Sequence, residues 1–214
     1  MGTTDGSAGL SAPGWPARLA HEDVEVRPLR ARDAAAWSEV RIRNERWLSP
    51  WEGRSASLPP AGWRDRHSTA VFAAMLRTQR REARAGRVLP MAVVVDGRLS
   101  GQVTVNSIVR GAFDCGYVGY WVDERVAGRG VLPTALALVL DHCFGPVGLH
   151  RVEANVRPEN AASRRVVAKL GFRQEGLHAR YLFIDEDWRD HLCFALLRDD
   201  HPAGVLAAYL QKHA

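Results

Sequence analysis

Tyr117-Val118-Gly119-Tyr120-Trp121-Val122-Asp123-Glu124-Arg125-Val126-Ala127-Gly128-Arg129-Gly130-Val131-Leu132-Pro133 decides how this chain is read. A strand-like run of aromatic and β-branched residues meets a Gly-X-Gly turn. An apolar helical pattern over 131–144 follows at once, with Pro133 in its first turn, where proline is tolerated. That order leaves backbone N–H groups without partners at a helix start, where a phosphate can settle. Gly128 and Gly130 carry no side chains, so an anion can approach the backbone closely, and Arg125 and Arg129 add charge. No Walker lysine follows, and no third glycine completes a dinucleotide fingerprint. Taken alone, such a turn serves equally well as a tight strand-to-helix connection.

The surrounding pattern supplies its setting. Met91–Val95 leads into Asp96-Gly97, a hairpin signal, and Leu99–Val109 and Cys115–Val122 complete a three-stranded meander. Upstream, a strand over Val24–Leu29 precedes a helix opened by Asp33, with Ala36, Trp37, Val40 and Trp47 as its apolar positions. A proline-bearing loop from Ser49 to Pro60 separates it from a second helix over Trp63–Ala85. Downstream come a strand over Arg151–Val156, a loop over Arg157–Asn160 and a helix over Ala161–Leu170 closed by Gly171. Strands near Phe172–Glu175, Tyr181–Ile184 and Arg189–Leu197 end the pattern. This order predicts an α/β chain with one mixed sheet and helices on both faces. Residues 1–20, rich in Gly, Ser, Thr, Pro and Ala, are expected to form a flexible tail, 21–200 a single domain and 201–214 a helical tail.

Hydrophobic residues make up 46% and charged residues 25% of the 214, an ordinary globular composition. No run approaches the ~20 apolar residues of a membrane span, and the N-terminus lacks a signal-peptide pattern, so a cytoplasmic chain is expected. Cys115, Cys143 and Cys193 have no paired spacing, and the histidines show no ligand spacing, so no metal is expected. The net charge is +5, and arginine supplies every basic residue except Lys169 and Lys212. A basic surface favours anionic partners, but no block of arginines points to direct nucleic-acid binding.

The second informative stretch is Asn155-Val156-Arg157-Pro158-Glu159-Asn160-Ala161-Ala162-Ser163-Arg164-Arg165-Val166-Val167-Ala168-Lys169-Leu170-Gly171-Phe172. A strand delivers Asn155, Asn160 starts a helix as a cap, and Ser163 lies on its first turn. Together with Arg125 to Gly130 at this separation, it resembles the GCN5-related N-acetyltransferases, the GNAT superfamily. Asn44 to Gly53, Asn106 to Tyr120 and Tyr181 to His191 are similar to the RimJ-type protein-alanine N-acetyltransferases. The resemblance spans about residues 24–198. It implies a splayed mixed sheet of about seven strands, with acetyl-CoA between two parallel strands, here Gly116–Val122 and Arg151–Val156. It places the pantetheine arm along Trp121 and Val122, the pyrophosphate on the amides from Gly128 to Val131, and Asn155, Asn160 and Ser163 near the arm and thioester.

The implied reaction is direct attack of a neutral amine on an acetyl thioester. A backbone N–H near Trp121 or Val122 is expected to stabilise the oxyanion. Ser163 matches the serine that protonates the thiolate in RimL-type enzymes, and Tyr181 is an alternative donor. Those enzymes carry a carboxylate where this chain has Arg180, which cannot serve as a base. Glu52, in Pro50-Trp51-Glu52, and Asp114 or Asp185 are the remaining candidates, and Glu52 is also placed to hold the acceptor's ammonium. The expected acceptor is the N-terminal α-amine of a protein, such as a ribosomal protein starting with Ala or Ser. Acetylation of a small amine and a CoA-binding module without turnover are the alternatives, with the chain a monomer or homodimer.

Overall fold

The computed structural model describes residues 12–57, 59 and 61–213. Its centre is an eight-stranded mixed sheet in the order β1-β2-β3-β4-β5-β6-β8-β7. The strands are β1 (Leu19–His21), β2 (Val24–Pro28), β3 (Leu89–Val95), β4 (Arg98–Val109), β5 (Cys115–Val122), β6 (Arg151–Val156), β7 (Arg173–Ile184) and β8 (Asp187–Leu197). The helices are α1 (Ala34–Arg43), α2 (Glu45–Leu48), α3 (Trp63–Arg66), α4 (Thr69–Arg84), α5 (Val131–Phe144), α6 (Ala161–Lys169) and α7 (Val205–His213).

Period-two alternation assigns the faces. All seven residues of β3 are buried. Met91, Val93 and Val95 join β2, β5 and α5 in the main core, while Ala92 and Val94 pack with Trp37, Val40, Phe72 and Leu76 of α1 and α4. A strand covered on both faces reads as a continuous apolar run, as Met91 to Val95 does.

Three boundaries differ from those the sequence suggests. The tail expected over 1–20 contains the start of β1, whose three residues pair with β2 and are too few to show a pattern; residues 1–11 lie outside the described residues. The helix expected from Trp63 to Ala85 breaks at His67, and Ser68 caps α4 by accepting from Val71 N–H at 3.4 Å. The segment expected as a helical tail carries α7, which buries Val205 and Tyr209 against the main core; Asp141 of α5 accepts from Val205 N–H at 2.6 Å and Leu206 N–H at 3.1 Å.

The decisive feature is where pairing stops. β5 runs antiparallel to β4 as far as Val122, but its parallel pairing with β6 covers only Cys115 to Tyr117. β6 meanwhile pairs with β8 along its whole length. From Val118 onward the two parallel strands diverge, and the sheet opens into a V.

Candidate active site

Beside the V lies a cleft of about 1040 Å³ lined by the end of β5, Gly119 to Val122, and by residues from both faces of the sheet. Alternation at the end of β5 sends neighbouring side chains to opposite faces. Tyr120 packs with the main core beside α6, and Trp121 packs with the α1 and α4 cluster.

On the α5 and α6 side the wall is largely backbone. Gly128 and Gly130 have φ of +79° and +80°, a region that side chains resist. Gly130 precedes α5 and offers no side-chain cap, and the first ladder bond runs from Thr134 N–H to Gly130 carbonyl at 3.0 Å. The amides ahead of it belong to a glycine turn facing the cleft, and Pro133 has none to offer. Across the V, Asn160 accepts from Ser163 N–H at 2.9 Å and opens α6. That cap fixes Ser163, whose Oγ lies 2.7 Å from the hydroxyl of Tyr120. Burial pushes the Tyr120 phenol up to about 12, although its hydrogen bond to Ser163 acts the other way. The pair therefore stays protonated and can hold or pass a proton.

On the α1 side the wall is made of side chains. Arg41 is 5% exposed, and its guanidinium stacks over Trp121 at 4.9 Å, Trp63 at 5.0 Å and Trp37 at 5.8 Å. It is paired with Glu52 and lies 2.7 Å from His67 Nε2. Glu52 also meets His67 at 2.9 Å and Arg66 at 3.5 Å. Burial pushes the His67 imidazole down to about 4, aided by the Arg41 charge, so His67 is neutral. The segment carrying Glu52 is anchored twice. Arg157, at the foot of α6, donates to Pro50 carbonyl at 2.7 Å and lies over Trp51, while Arg54 N–H donates to Phe183 carbonyl at 3.0 Å.

Trp121, Val122, Gly128, Gly130, Val131, Asn160, Ser163 and Glu52 thus line one cleft. Val122 carbonyl already accepts from Trp47 Nε1 at 3.1 Å. Arg125 and Arg129 face a second basin across the loop, and Arg129 lies 3.6 Å from Asp23. Tyr181 lies outside the lining, its ring 4.7 Å from His178 and 5.6 Å from His191. Asn155 also lies outside the lining; its Oδ1 is buried without a partner among the described residues, an acceptor left for an amide donor. Tyr120, Arg41 and His67 are participants that sequence reasoning did not single out. Tyr120 was accessible to it, since it sits two residues from Val118 and Val122 on the face that receives α6.

A cleft with a bare glycine turn, an open strand edge and a half-buried hydroxyl pair fits a long thioester carrying a diphosphate. The family model for the acetyltransferase (GNAT) domain matches residues 23–173. The chain belongs to the GNAT acetyltransferases. Mycobacterium smegmatis RimJ, solved in complex with CoA-disulfide, is 41% identical, with a TM-score of 0.88 over 94% of this chain and 97% of that one. The [ribosomal protein uS5]-alanine N-acetyltransferase of Escherichia coli is 30% identical over 198 residues, 87% of this chain and 94% of that protein. Probable N-acetyltransferase YjcK of Bacillus subtilis is 40% identical over 105 residues, 49% of this chain and 58% of that protein. Acetyl-CoA is the co-substrate of this GNAT domain. Among the described residues no cluster of His, Cys, Asp and Glu could hold a metal, and no helix is long and apolar enough to cross a membrane.

Proposed function

We propose that this chain acetylates the N-terminal α-amine of a protein, a ribosomal protein beginning with Ala or Ser being the leading acceptor. The observation that carries the reading is the cleft beside the V, with the Tyr120–Ser163 hydroxyl pair on one face of the sheet and a separate side-chain chamber on the other. Near full-length likeness to uS5-alanine N-acetyltransferase supports the acceptor class. Acetyl-CoA supplies the activated acetyl group. The glycine-turn amides and the start of α5 hold its diphosphate, and the open edge of β5 beyond Tyr117 runs beside its arm. Ser163, held by Asn160 and hydrogen-bonded to Tyr120, gives the departing sulfur a proton. Tyr181, outside the cleft lining, is the alternative donor for the same task.

The acceptor must arrive neutral. An α-ammonium has a pKa near ~8 against ~10.4 for lysine, so at pH 7 roughly one α-amine in ten is already neutral, against fewer than one lysine in a thousand. α-Amines are therefore the expected acceptors. The test is thiol release from acetyl-CoA across peptides starting with Ala, Ser, Met or Pro and a set of polyamines and amino acids, with acetylation sites mapped by mass. Ala- and Ser-starting peptides are expected to lead, acetylated at the α-amine. Turnover confined to small amines, or mainly ε-acetyl-lysine, would overturn the acceptor assignment.

A further inference from the structure

This inference rests on the amine acetyltransferase reading and concerns how the acceptor loses its proton. The cleft lining holds two carboxylates, Glu52 and Glu159. Neither is available as a base. Glu52 is held by Arg41 and Arg66, and Glu159 lies 3.3 Å from Arg157 Nε. A carboxylate clamped by two guanidinium groups, as Glu52 is, binds a proton weakly, and Glu159 is an exposed side chain turned to Arg157. His67 is no better placed. Its Nδ1 lies 2.7 Å from Trp63 carbonyl, which only accepts, so that nitrogen carries the proton. Its Nε2 is closed in between Arg41 at 2.7 Å and Glu52 at 2.9 Å, so neither ring nitrogen is open to an incoming amine.

The charges facing the cleft do not cancel. Arg41 from α1 and Arg66 from α3 stand against Glu52 on the acceptor side. Arg165 and Lys169 of α6 face it from the other side, where Glu159 is the opposing carboxylate. Glu45, at the start of α2, acts on His67 from behind. Tyr120 and His67 are neutral. The phosphates of acetyl-CoA answer the cations on the α6 side, so the balance that an amine meets on the acceptor side is Arg41 and Arg66 against Glu52, a surplus of one positive charge.

We propose that the acceptor is deprotonated by this field and not by a base: Arg41 and Arg66, outweighing Glu52, make the neutral amine the favoured form inside the cleft. The α-ammonium gives one proton to water before attack. Its nitrogen lone pair then forms the C–N bond as the C–S bond breaks, the thiolate takes the Ser163 proton, and the second proton lost by the nitrogen returns to Ser163 through the Tyr120 hydroxyl or water, leaving the pair as it began. Glu52 and Arg66 are electrostatic residues here, acting on the nitrogen through space.

The pH dependence of turnover by the full-length protein on an Ala-starting peptide tests this. The acid limb of kcat/KM reports the free peptide's amine, and that of kcat reports the bound one. A surplus unit charge within several ångström moves an amine by about one pH unit. The kcat limb is therefore expected about one pH unit below the kcat/KM limb. Glu52→Gln should move the kcat limb lower still and raise the rate at pH 6. Arg66→Gln, a half-exposed position, should move it up and lower the rate at pH 7 by roughly three- to ten-fold. A Glu52→Gln protein that loses roughly a hundred-fold or more at every pH would make Glu52 the base and overturn the inference. So would kcat limbs that coincide in wild type and both variants. Absence of turnover on any amine would instead remove the acetyltransferase reading on which this one stands.

Discussion

The two walls of the cleft are built from different materials. The donor wall is backbone: an αL glycine turn, a helix start and a strand edge released from its neighbour after Tyr117. The acceptor wall is side chain: one buried guanidinium within reach of three indoles, a shared carboxylate and a neutral imidazole. A backbone wall recognises a diphosphate and an amide-bearing arm, which are the same in every turnover. A side-chain wall can be retuned residue by residue for the acceptor. Each wall should therefore fail in its own way.

The largest effect is expected at the donor turn. Gly130 has φ of +80°, and an added Cβ would lie 3.3 Å from the Tyr209 hydroxyl. Valine there meets both a disfavoured conformation and a neighbour, a cost of about 2–3 kcal/mol or roughly a hundred-fold in CoA affinity. Gly128 has nothing within 4 Å of an added Cβ, so Gly128→Ala carries conformational strain alone and should cost about 1 kcal/mol. Isothermal titration with CoA measures both. Equal losses would mean that crowding by α7 plays no part. A Gly130→Val protein that binds CoA normally would break the assignment of this wall.

Next comes the hydroxyl pair where the walls meet. Ser163→Ala is expected to lower kcat by roughly a hundred-fold and Tyr120→Phe by roughly ten-fold, with acceptor KM little changed. Because the two share one hydrogen bond, the double variant should resemble Ser163→Ala and fall well short of the product of the two losses. Multiplying losses would show two separate proton paths. Tyr181→Phe, measured beside them, decides whether the phenol stacked near His178 has any part in the proton transfer.

The same contrast explains what could be read beforehand. Gly128, Gly130, Asn160 and Leu170-Gly171-Phe172 announce themselves because turns and caps demand particular residues at fixed offsets. The meander around Asp96-Gly97 was legible for the same reason. The acceptor chamber gathers Trp37 and Arg41 of α1, Glu52 of the loop, Trp63 of α3 and Trp121 of β5 from four separate segments, and no local rule links those segments. Trp37 and Trp63 look like ordinary core residues in any window, and Arg41 sits among the many arginines of a basic chain. β1 was missed because three residues carry no period, and the break at His67 because the helical pattern of Trp63 to Ala85 continues on both sides of it, the backbone turning only at His67 and Ser68.

A smaller effect is expected on the acceptor side alone. Trp51 lies over Arg157, which reaches Pro50 carbonyl across the cleft mouth. Trp51→Ala and Arg157→Ala should each raise the acceptor KM by roughly three- to ten-fold, about 1 kcal/mol, while leaving the Kd for CoA unchanged. A matching loss of CoA affinity would mean that this strap serves the donor wall, and the division between walls would need redrawing.

The smallest effect tests whether the walls are joined. Asp123 ends β5 between them, accepting from Arg43 at 2.6 Å and Asn44 at 2.9 Å on the α1 side and from Arg125 N–H at 3.3 Å in the donor loop. Burial pushes its carboxyl up, but the hydrogen bonds from Asn44, Arg43 and Arg125 N–H outweigh that and leave it below the ordinary carboxylate range. A carboxyl with a depressed folded pKa contributes stability above its unfolded pKa of about 4, and loses it as pH falls through the lower folded value. Asp123→Asn keeps the carbonyl acceptor but removes the charge, which should cost about 1 kcal/mol, a few degrees in Tm, at pH 7. The difference from wild type should vanish at pH values below the folded pKa, where both side chains are neutral. If the clamp couples the walls, the variant should also weaken CoA binding and raise acceptor KM together. A variant that loses stability while both constants stay fixed would show that the walls are positioned independently.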